Sequence, residues 1–352
     1  MSMDETYQTI VIGGGQAGLA AGYFLARRGM RFTILDEKAR TGQSWRERWD
    51  SLRLFTPAKF SGLPGLPFPG PDFYFPTKDE AAAYLETYAG RFNLPVQHNI
   101  QVRALARSNG GFRVSTGAGS LAASQVIVAT GAYQKPRTPA FSRELDPAIL
   151  QMHSSAYRNT AQIPVQNVLV VGAGNSGAEI ALELARAGKR VWLAGRDVGR
   201  IPADKFGRVL GGRPYWWFIS RFLSLDTPIG RKMSSNVLWQ GTPLINLSRS
   251  QVLAAGVEGT PRVTGAQSGL PRLEDGRSLP VEALIWATGF HPDYTWIDLP
   301  VFDEQGYPRH RRGIVPKAPG LFFVGLHFQN ALSSALLGGV GTEAGHIVEQ
   351  MG

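Results

Sequence analysis

An α/β fold of two Rossmann-like dinucleotide-binding domains, one inserted in the other, is predicted by three features of this 352-residue sequence. A strand–glycine–helix motif occurs twice, as Ile10-Val11-Ile12-Gly13-Gly14-Gly15-Gln16-Ala17-Gly18 and as Val168-Leu169-Val170-Val171-Gly172-Ala173-Gly174-Asn175-Ser176-Gly177. Each copy is followed, after a β-rich segment, by an apolar strand ending in Ala-Thr-Gly. From Gly13 to Gly131 is 118 positions and from Gly172 to Gly289 is 117, a matched period that marks one architecture used twice. A further strand, Leu321 to Gly325, and a helical stretch from Thr342 to Met351 stand beyond the second copy. They are expected to return to the first sheet, so that the second domain interrupts the first.

The glycine positions carry the chemistry. The first allows a tight turn, the second lets the backbone approach a pyrophosphate, and the third lets the helix pack against the sheet. The free N–H groups and dipole of the helix N-terminus then hold the phosphates. Gly13, Gly15, Gln16, Ala17 and Gly18 form the first cradle, and Gly172, Gly174, Asn175, Ser176 and Gly177 the second.

The end of the next strand in each copy separates the two ligands. The strand Phe32 to Leu35 ends at Asp36 with Glu37 behind it, where a carboxylate accepts hydrogen bonds from an adenosine ribose. This suits FAD. At the same distance in the second copy the strand from Arg190 to Ala194 ends at Gly195 and Arg196, with no acid to repel a 2′-phosphate and a guanidinium to pair with one. The expected nicotinamide cofactor is NADPH, with NADH also accepted. Lys205 and Arg208 lie downstream and are candidates for the same phosphate.

The implied division is an FAD domain over 1–160 and 286–352 and an NAD(P)H domain over 161–285. The crossings are expected near 155–166 and 286–294, beside Pro164 and Pro292. Short strands separated by Gly and Pro are expected near Val96 to Val102 and Phe112 to Thr116, then near Val257 to Thr264 and Arg272 to Leu273. The Pro- and Phe-rich stretch from Trp45 to Pro76 has neither strand nor helix period and is expected to cover a ligand and line a pocket.

Composition excludes several classes. The chain is 43% hydrophobic and 18% charged, as in ordinary globular domains. No apolar run reaches the roughly 20 residues of a membrane-spanning helix, and Met1 to Gln8 resembles no signal peptide, so a cytoplasmic location without a membrane partner is expected. Cysteine is absent, which excludes a dithiol redox pair and thiolate metal sites. No metal-ligand cluster is visible. The net charge of +10 comes from dispersed arginines without a recognition motif, so no nucleic-acid partner is expected.

With these residues in view, the chain resembles the class B flavoprotein monooxygenases. The likeness rests on the paired glycine motifs, the Ala-Thr-Gly strands and Leu321-Phe322-Phe323-Val324-Gly325, and it covers nearly the whole chain. Leu54, Pro57, Leu63-Pro64, Pro67-Phe68-Pro69 and Gly174-Asn175-Ser176-Gly177 look most like the plant auxin-forming branch and its short bacterial relatives. Of the family's signature between the domains, His153 and Tyr157 keep the His-x-x-x-Tyr half, while Pro147 and Ile149 replace its Phe and Gly.

The resemblance implies that NAD(P)H reduces FAD, that O₂ then forms a C4a-(hydro)peroxyflavin, and that oxygen passes to a small lipophilic sulfide, amine or ketone. It also implies a homodimer. It adds Gln43, Trp45, Arg48, Thr130, Gly131, Gly325, Leu326, Thr288 and Gly289 to the cofactor-binding residues, and Phe55, His327 and Asn330 as candidate catalytic residues. Phe55 stands where many relatives carry an asparagine beside the flavin, which removes a hydrogen-bonding group there. Tyr215, Trp216, Trp217 and Phe218 read as packing, or as an apolar roof over substrate if they face Phe55. The alternatives are an NAD(P)H oxidase or electron-transfer flavoprotein releasing H₂O₂ or supplying a partner, and a non-catalytic redox or nucleotide sensor.

Overall fold

The first sheet is built on β1 (Thr6–Ile12), whose β-branched run Ile10-Val11-Ile12 is wholly buried. The computed structural model describes residues 6–201, 208–240 and 243–352, without the side chains of 235–240. Helix α1 (Gln16–Arg27) returns the chain to β2 (Phe32–Leu35), which pairs parallel with β1. The short α2 (Gln43–Arg46) and the loop after it lead to α3 (Lys78–Arg91), whose start is fixed by a capping box between Thr77 and Glu80. β3 (Val96–Gln97) then adds in parallel to β2.

β4 (Val102–Ser108), β5 (Gly111–Thr116) and β6 (Gly119–Val128) form an antiparallel meander. The strand expected from Val96 to Val102 is thus split between the two sides of the sheet, because Asn99 adopts a left-handed φ of 58° and turns the chain. β6 serves twice: its first half pairs β5, and its second half lies parallel to β1.

β7 (Lys135–Pro136) carries the chain out of the first sheet. β8 (Leu150–His153), β9 (Asn167–Val171), helix α4 (Asn175–Arg186) and β10 (Arg190–Ala194) follow. A two-stranded pair, β11 (Arg200–Ile201) with β12 (Leu244–Ile245), brackets the helical segment between them. β13 (Glu258–Thr260), the hairpin β14 (Val263–Gln267)–β15 (Leu270–Leu273) and β16 (Ala283–Trp286) complete the second unit. Its five-stranded sheet has the order β13-β10-β9-β16-β8 and is parallel throughout.

β17 (Phe290–His291) pairs antiparallel with β7, so the chain leaves and re-enters the first unit side by side. The sequence expects the second crossing within 286–294, the range that contains β17. The first does not fall at 155–166. It lies at β7, and β8, which the sequence division places in the first domain, is an edge strand of the second sheet. Tyr157 and Ile163 likewise pack in the second core. β18 (Ile297–Asp298) joins β4, β19 (Leu321–Phe323) joins β6 in parallel, and the C-terminal helix Val340–Glu349 packs on α1. The tail thus completes the first sheet as expected.

The loop between α2 and α3 is more a structural member than a free cover. Leu54, Leu63 and Phe68 are buried in the first core. The Tyr84 hydroxyl accepts from Leu63 N (2.6 Å) and donates to Leu66 O (2.6 Å), and Tyr88 donates to Pro64 O (2.7 Å). Upstream, Trp49 and Leu52 cross over and sit buried in the second core beside Tyr157, Val168 and Val170. Glu183 of α4 accepts from Tyr157 Oη (3.0 Å) and from the Ser51 hydroxyl, pinning this loop to the second sheet.

Candidate active site at two phosphate cradles and their crossing

The two glycine motifs fold alike. Gly13 (φ 109°) and Gly172 (φ 112°) both make left-handed turns at strand ends. A Cβ at Gly13 would lie 2.5 Å from Ala129 O, and one at Gly172 would lie 2.2 Å from Ala287 O. The first glycine of each motif is therefore pressed against the alanine of the matching Ala-Thr-Gly, which accounts for the near-equal spacing in sequence. The third glycines meet the first: a Cβ on Gly18 or Gly177 would fall 1.9 or 1.8 Å from the carbonyl of Gly13 or Gly172.

The middle glycines differ. Gly15 and Gly174 are the N-caps of α1 and α4, extended at φ −78° and −76°, with no side-chain cap and nothing within 4 Å of an added Cβ. Each leaves a concavity bounded by the uncapped first-turn N–H groups of a 12-residue helix, the shape and donor set that a pyrophosphate requires. The residues present fit two dinucleotides.

Asp36 is buried beside the first cradle, and its Oδ1 accepts from Lys38 N at 2.9 Å. A Cβ at Gly14 would lie 2.4 Å from Asp36 Oδ2, so this glycine, which the motif does not require, makes room for the acid. Glu37 is exposed. In the second unit Gly195 backs onto Ala173, and Arg196 is exposed with no ion-pair partner among the described residues. The Asn175 side chain is engaged by the backbone of 243–245: Nδ2 donates to Pro243 O (3.0 Å) and Oδ1 accepts from Ile245 N (2.8 Å). Ser176 is partly exposed beside it. Lys205 lies outside the described residues, and the Arg208 guanidinium lies 5.6 Å from the Phe73 ring.

Thr130, Gly131, Thr288 and Gly289 sit where the chain crosses between units. Gln134 Nε2 donates to Thr130 Oγ1 (2.6 Å) and Gly131 O (2.9 Å), and Gln134 Oε1 accepts from Asp293 N. Thr288 donates to Arg137 O, and Arg137 N donates to Gly289 O (2.9 Å). His153 Nδ1 accepts from Ser155 N (3.1 Å), so Nε2 carries the proton given to Gly289 O (3.0 Å). Burial lowers the pKa of this imidazole, and the nearby Arg48 cation lowers it further against the pull of Gly289. His153 is thus a neutral clamp of the crossing with both ring nitrogens engaged.

An aromatic row runs from this clamp toward the C-terminal loop. His153 meets Phe290 edge-on (5.0 Å), Phe290 meets Tyr133 (5.3 Å), and Tyr133 meets His327 (5.1 Å). The Arg48 guanidinium lies over ring faces, 5.6 Å from Tyr133 and 5.9 Å from Phe290, with no hydrogen bond among the described residues. Tyr133, Gln134 and Phe290 are not singled out by the sequence motifs, although an aromatic stands within two residues after each Ala-Thr-Gly. Trp45 packs against both cores and braces the junction, while Gln43 bonds locally to Arg40 (3.3 Å) and Glu47 (3.4 Å).

Beyond β19, Gly325 takes φ 86° with a notional Cβ only 2.8 Å from Ala17 Cβ, which sets the next loop against the first cradle. Gln16 Nε2 ties that loop down through Ala335 O (2.9 Å), and Leu326 N donates to Gln329 Oε1 (3.3 Å). Phe328 takes φ 50°, an unfavourable conformation for a bulky residue. Burial pushes the His327 pKa down to about 4, so its ring is neutral near pH 7. Asn330 is fixed through its backbone to Leu225 N (2.7 Å) and Ser334 Oγ (3.1 Å), and its side-chain amide has no hydrogen-bond partner among the described residues. Phe55 is half-buried, and its carbonyl accepts from Asn246 at 3.4 Å. Trp216 stacks on Phe60 rather than on Phe55 (5.2 Å, 7° between planes), while Trp217 and Phe218 stand in solvent. No group of His, Asp or Glu among the described residues could hold a metal, and no described helix is long and apolar enough to cross a membrane.

Two dinucleotide cradles facing one crossing, in a chain without cysteine, define a two-dinucleotide oxidoreductase that has no protein thiol for electron relay. Comparison with known proteins agrees. Residues 10–205 match the family model for pyridine nucleotide-disulphide oxidoreductases, and the chain belongs to that family. It is 38% identical to an uncharacterised CzcO-like oxidoreductase of Geobacillus kaustophilus over 99% of both chains. It is 37% identical to the indole-3-pyruvate monooxygenase YUCCA1 of Oryza sativa over 56% of this chain and 50% of that one. Among solved structures, a flavin-containing monooxygenase from Stenotrophomonas maltophilia superposes with a TM-score of 0.81 at 28% identity, over 99% of this chain and 98% of that one. The chain is a flavin-dependent oxidoreductase whose relatives and structural neighbours include flavin monooxygenases.

Proposed function

We propose that the chain is an NADPH-consuming monooxygenase of small lipophilic sulfides, amines or ketones. The observation that carries this reading is the pair of open glycine N-caps, Gly15 and Gly174, in two sheets joined at a crossing lined by aromatic rings. We assign FAD to the first cradle, in a domain reaching from the N-terminus to about β7 and resuming after β17, and NADPH to the second, in the segment between them. When bound, FAD takes a hydride from NADPH and activates dioxygen.

The chain's own residues bind, orient and exclude water. The N–H groups following Gly15 and Gly174 hold the pyrophosphates, Asp36 accepts from the FAD ribose, and Arg196 pairs the 2′-phosphate of NADPH. Gly325 and Leu326 place the C-terminal loop against the first cradle, and the start of the helix Val340–Glu349 faces negative charge developing on the bound ring. The row Phe290–Tyr133–His327, with Arg48, lines the crossing side. Neutral His327 offers a ring nitrogen as acceptor, and the free Asn330 amide offers a donor to substrate or cofactor.

Phe55 favours one further outcome. It presents no side-chain hydrogen bond toward the site, so part of the activated oxygen is expected to escape as H₂O₂. The test is anaerobic titration of the yellow protein with NADPH and NADH, followed by oxygen and an aryl methyl sulfide. Bleaching by NADPH with sulfoxide formed on aeration supports the reading. Bleaching with H₂O₂ alone makes the protein an oxidase, and no bleaching makes it a nucleotide sensor.

A further inference from the structure

Large apolar side chains are exposed in one stretch of the second unit. Of eight such residues among the described part of the chain, five lie in one 21-residue segment: Val209, Leu210, Trp217, Phe218 and Ile229. Leu210 is 80% exposed and Trp217 59%. The segment is not loose. Ile219 and Leu223 anchor it in the interior, and Thr227 Oγ1 donates to Phe222 O at 2.6 Å. Gly230 packs so tightly on the Ser224 carbonyl that a Cβ would lie 1.9 Å from it. Leu210 itself holds a left-handed φ of 48°, followed by Gly211 and Gly212 at 68° and 76°. A leucine kept outward in a disfavoured conformation is not explained by packing.

The charge within this segment is predominantly positive. Between 208 and 232 the sequence places Arg208, Arg213, Arg221, Arg231 and Lys232, all exposed, against the single acid Asp226. A second copy of this chain presenting the same face would bring cations onto cations. A segment in which exposed aromatic and aliphatic side chains alternate with exposed arginines instead matches an anionic lipid surface, where apolar groups sink to the acyl boundary and cations meet head groups.

We propose that residues 208–232 dock the enzyme peripherally on an anionic bilayer, contrary to the sequence expectation of no membrane partner. The position has a chemical consequence. Leu225 N donates to Asn330 O (2.7 Å) and Leu332 N to Leu223 O (3.0 Å), so the docking segment is tied directly to the loop that carries His327 and Asn330. Trp216 stacks on Phe60 at the same place. A lipophilic molecule dissolved in the bilayer would reach that loop without crossing water.

The test is flotation of the FAD-loaded protein with phosphatidylcholine vesicles, with and without phosphatidylglycerol. Binding to the anionic vesicles is expected to be about tenfold stronger than to the neutral ones and to weaken with salt. The double variant Leu210→Ser, Trp217→Ser is expected to bind about tenfold or more weakly. Its flavin absorbance and melting temperature serve as the control for folding. A variant carrying Leu253→Ser, an exposed apolar residue on another element, should float like the parent. Failure to float, equal binding to both vesicle types, or undiminished binding of the double variant would each overturn the proposal. So would concentration-dependent dimerisation lost in the double variant without vesicle binding in the parent.

Discussion

Replacing Gly174 by alanine separates ligand binding from folding more cleanly than substitution of the other motif glycines in the second cradle. The residue is extended at φ −76°, a conformation open to any L-amino acid, and an added Cβ meets nothing within 4 Å. The protein alone therefore has no reason to lose stability, and the melting temperature of Gly174→Ala should match that of the parent. The methyl group instead occupies the space in which the NADPH pyrophosphate must lie against the first-turn N–H groups of α4. Loss or lengthening of one charge-assisted hydrogen bond costs about 1.5–3 kcal/mol, which corresponds to a rise of about 10- to 150-fold in the KM for NADPH. FAD content and the flavin spectrum should be unchanged. Gly177→Ala supplies the contrast, because its Cβ would stand 1.8 Å from Gly172 O and the fold itself should suffer. The measurements are steady-state NADPH oxidation, flavin stoichiometry and thermal melting of the purified variants. An unchanged KM in Gly174→Ala, or loss of FAD with NADPH binding intact, would refute the assignment of the second cradle.

Other perturbations act on single contacts. Arg196→Ala should raise the KM for NADPH about tenfold and leave that for NADH nearly unchanged; equal effects in the two steady-state assays would remove the 2′-phosphate role. Glu179, partly buried on α4, has its pKa pushed up to about 8, first by burial and then by Glu183. Because the folded pKa lies above the unfolded value, its contribution is favourable at low pH and is lost as pH rises from about 4.5 through about 8. Glu179→Gln should therefore match the parent near pH 4.5 and exceed it by roughly 1–3 kcal/mol near pH 8, read by denaturant melts across that range. Glu343 is buried at the start of the C-terminal helix, accepting from Arg312 Nε (3.0 Å) and Ser334 Oγ (3.0 Å). Glu343→Ala should cost about 2–3 kcal/mol, or roughly 5 °C in a thermal melt.

The cradles were legible because their chemistry is local in sequence. Gly13, Gly15 and Gly18 occupy one turn, and the Ala129 and Ala287 carbonyls explain why each motif recurs with Ala-Thr-Gly at nearly the same spacing. The return of β19 was likewise readable from an apolar run left over after two complete units. What failed to show was non-local. Nothing in the sequence around Trp49 and Leu52 says that they pack in the other domain's core, since their partners Val168 and Val170 lie more than a hundred residues away. The misplaced first crossing has the same cause. Leu150–His153 is too short and too polar to announce its sheet, and only its pairing with Ala283–Trp286 assigns it to the second unit. His153 shows in the sequence only as part of a half-kept signature between the domains, and the Ser155 N–H and Gly289 carbonyl that make it a clamp are seen only in the fold. The bonds from the Asn175 side chain to the backbone of 243–245 are likewise non-local and not announced by the glycine motif.

The central claim is that reducing equivalents from NADPH end in oxygen transferred to a substrate. The most direct measurement is turnover of an aryl methyl sulfide under isotopically heavy dioxygen, with NADPH consumption and H₂O₂ followed in parallel and the product analysed by mass spectrometry. Sulfoxide carrying one heavy oxygen atom, formed in proportion to the NADPH consumed beyond that recovered as H₂O₂, is the predicted result. Unlabelled sulfoxide, or H₂O₂ accounting for all of the NADPH, would contradict it.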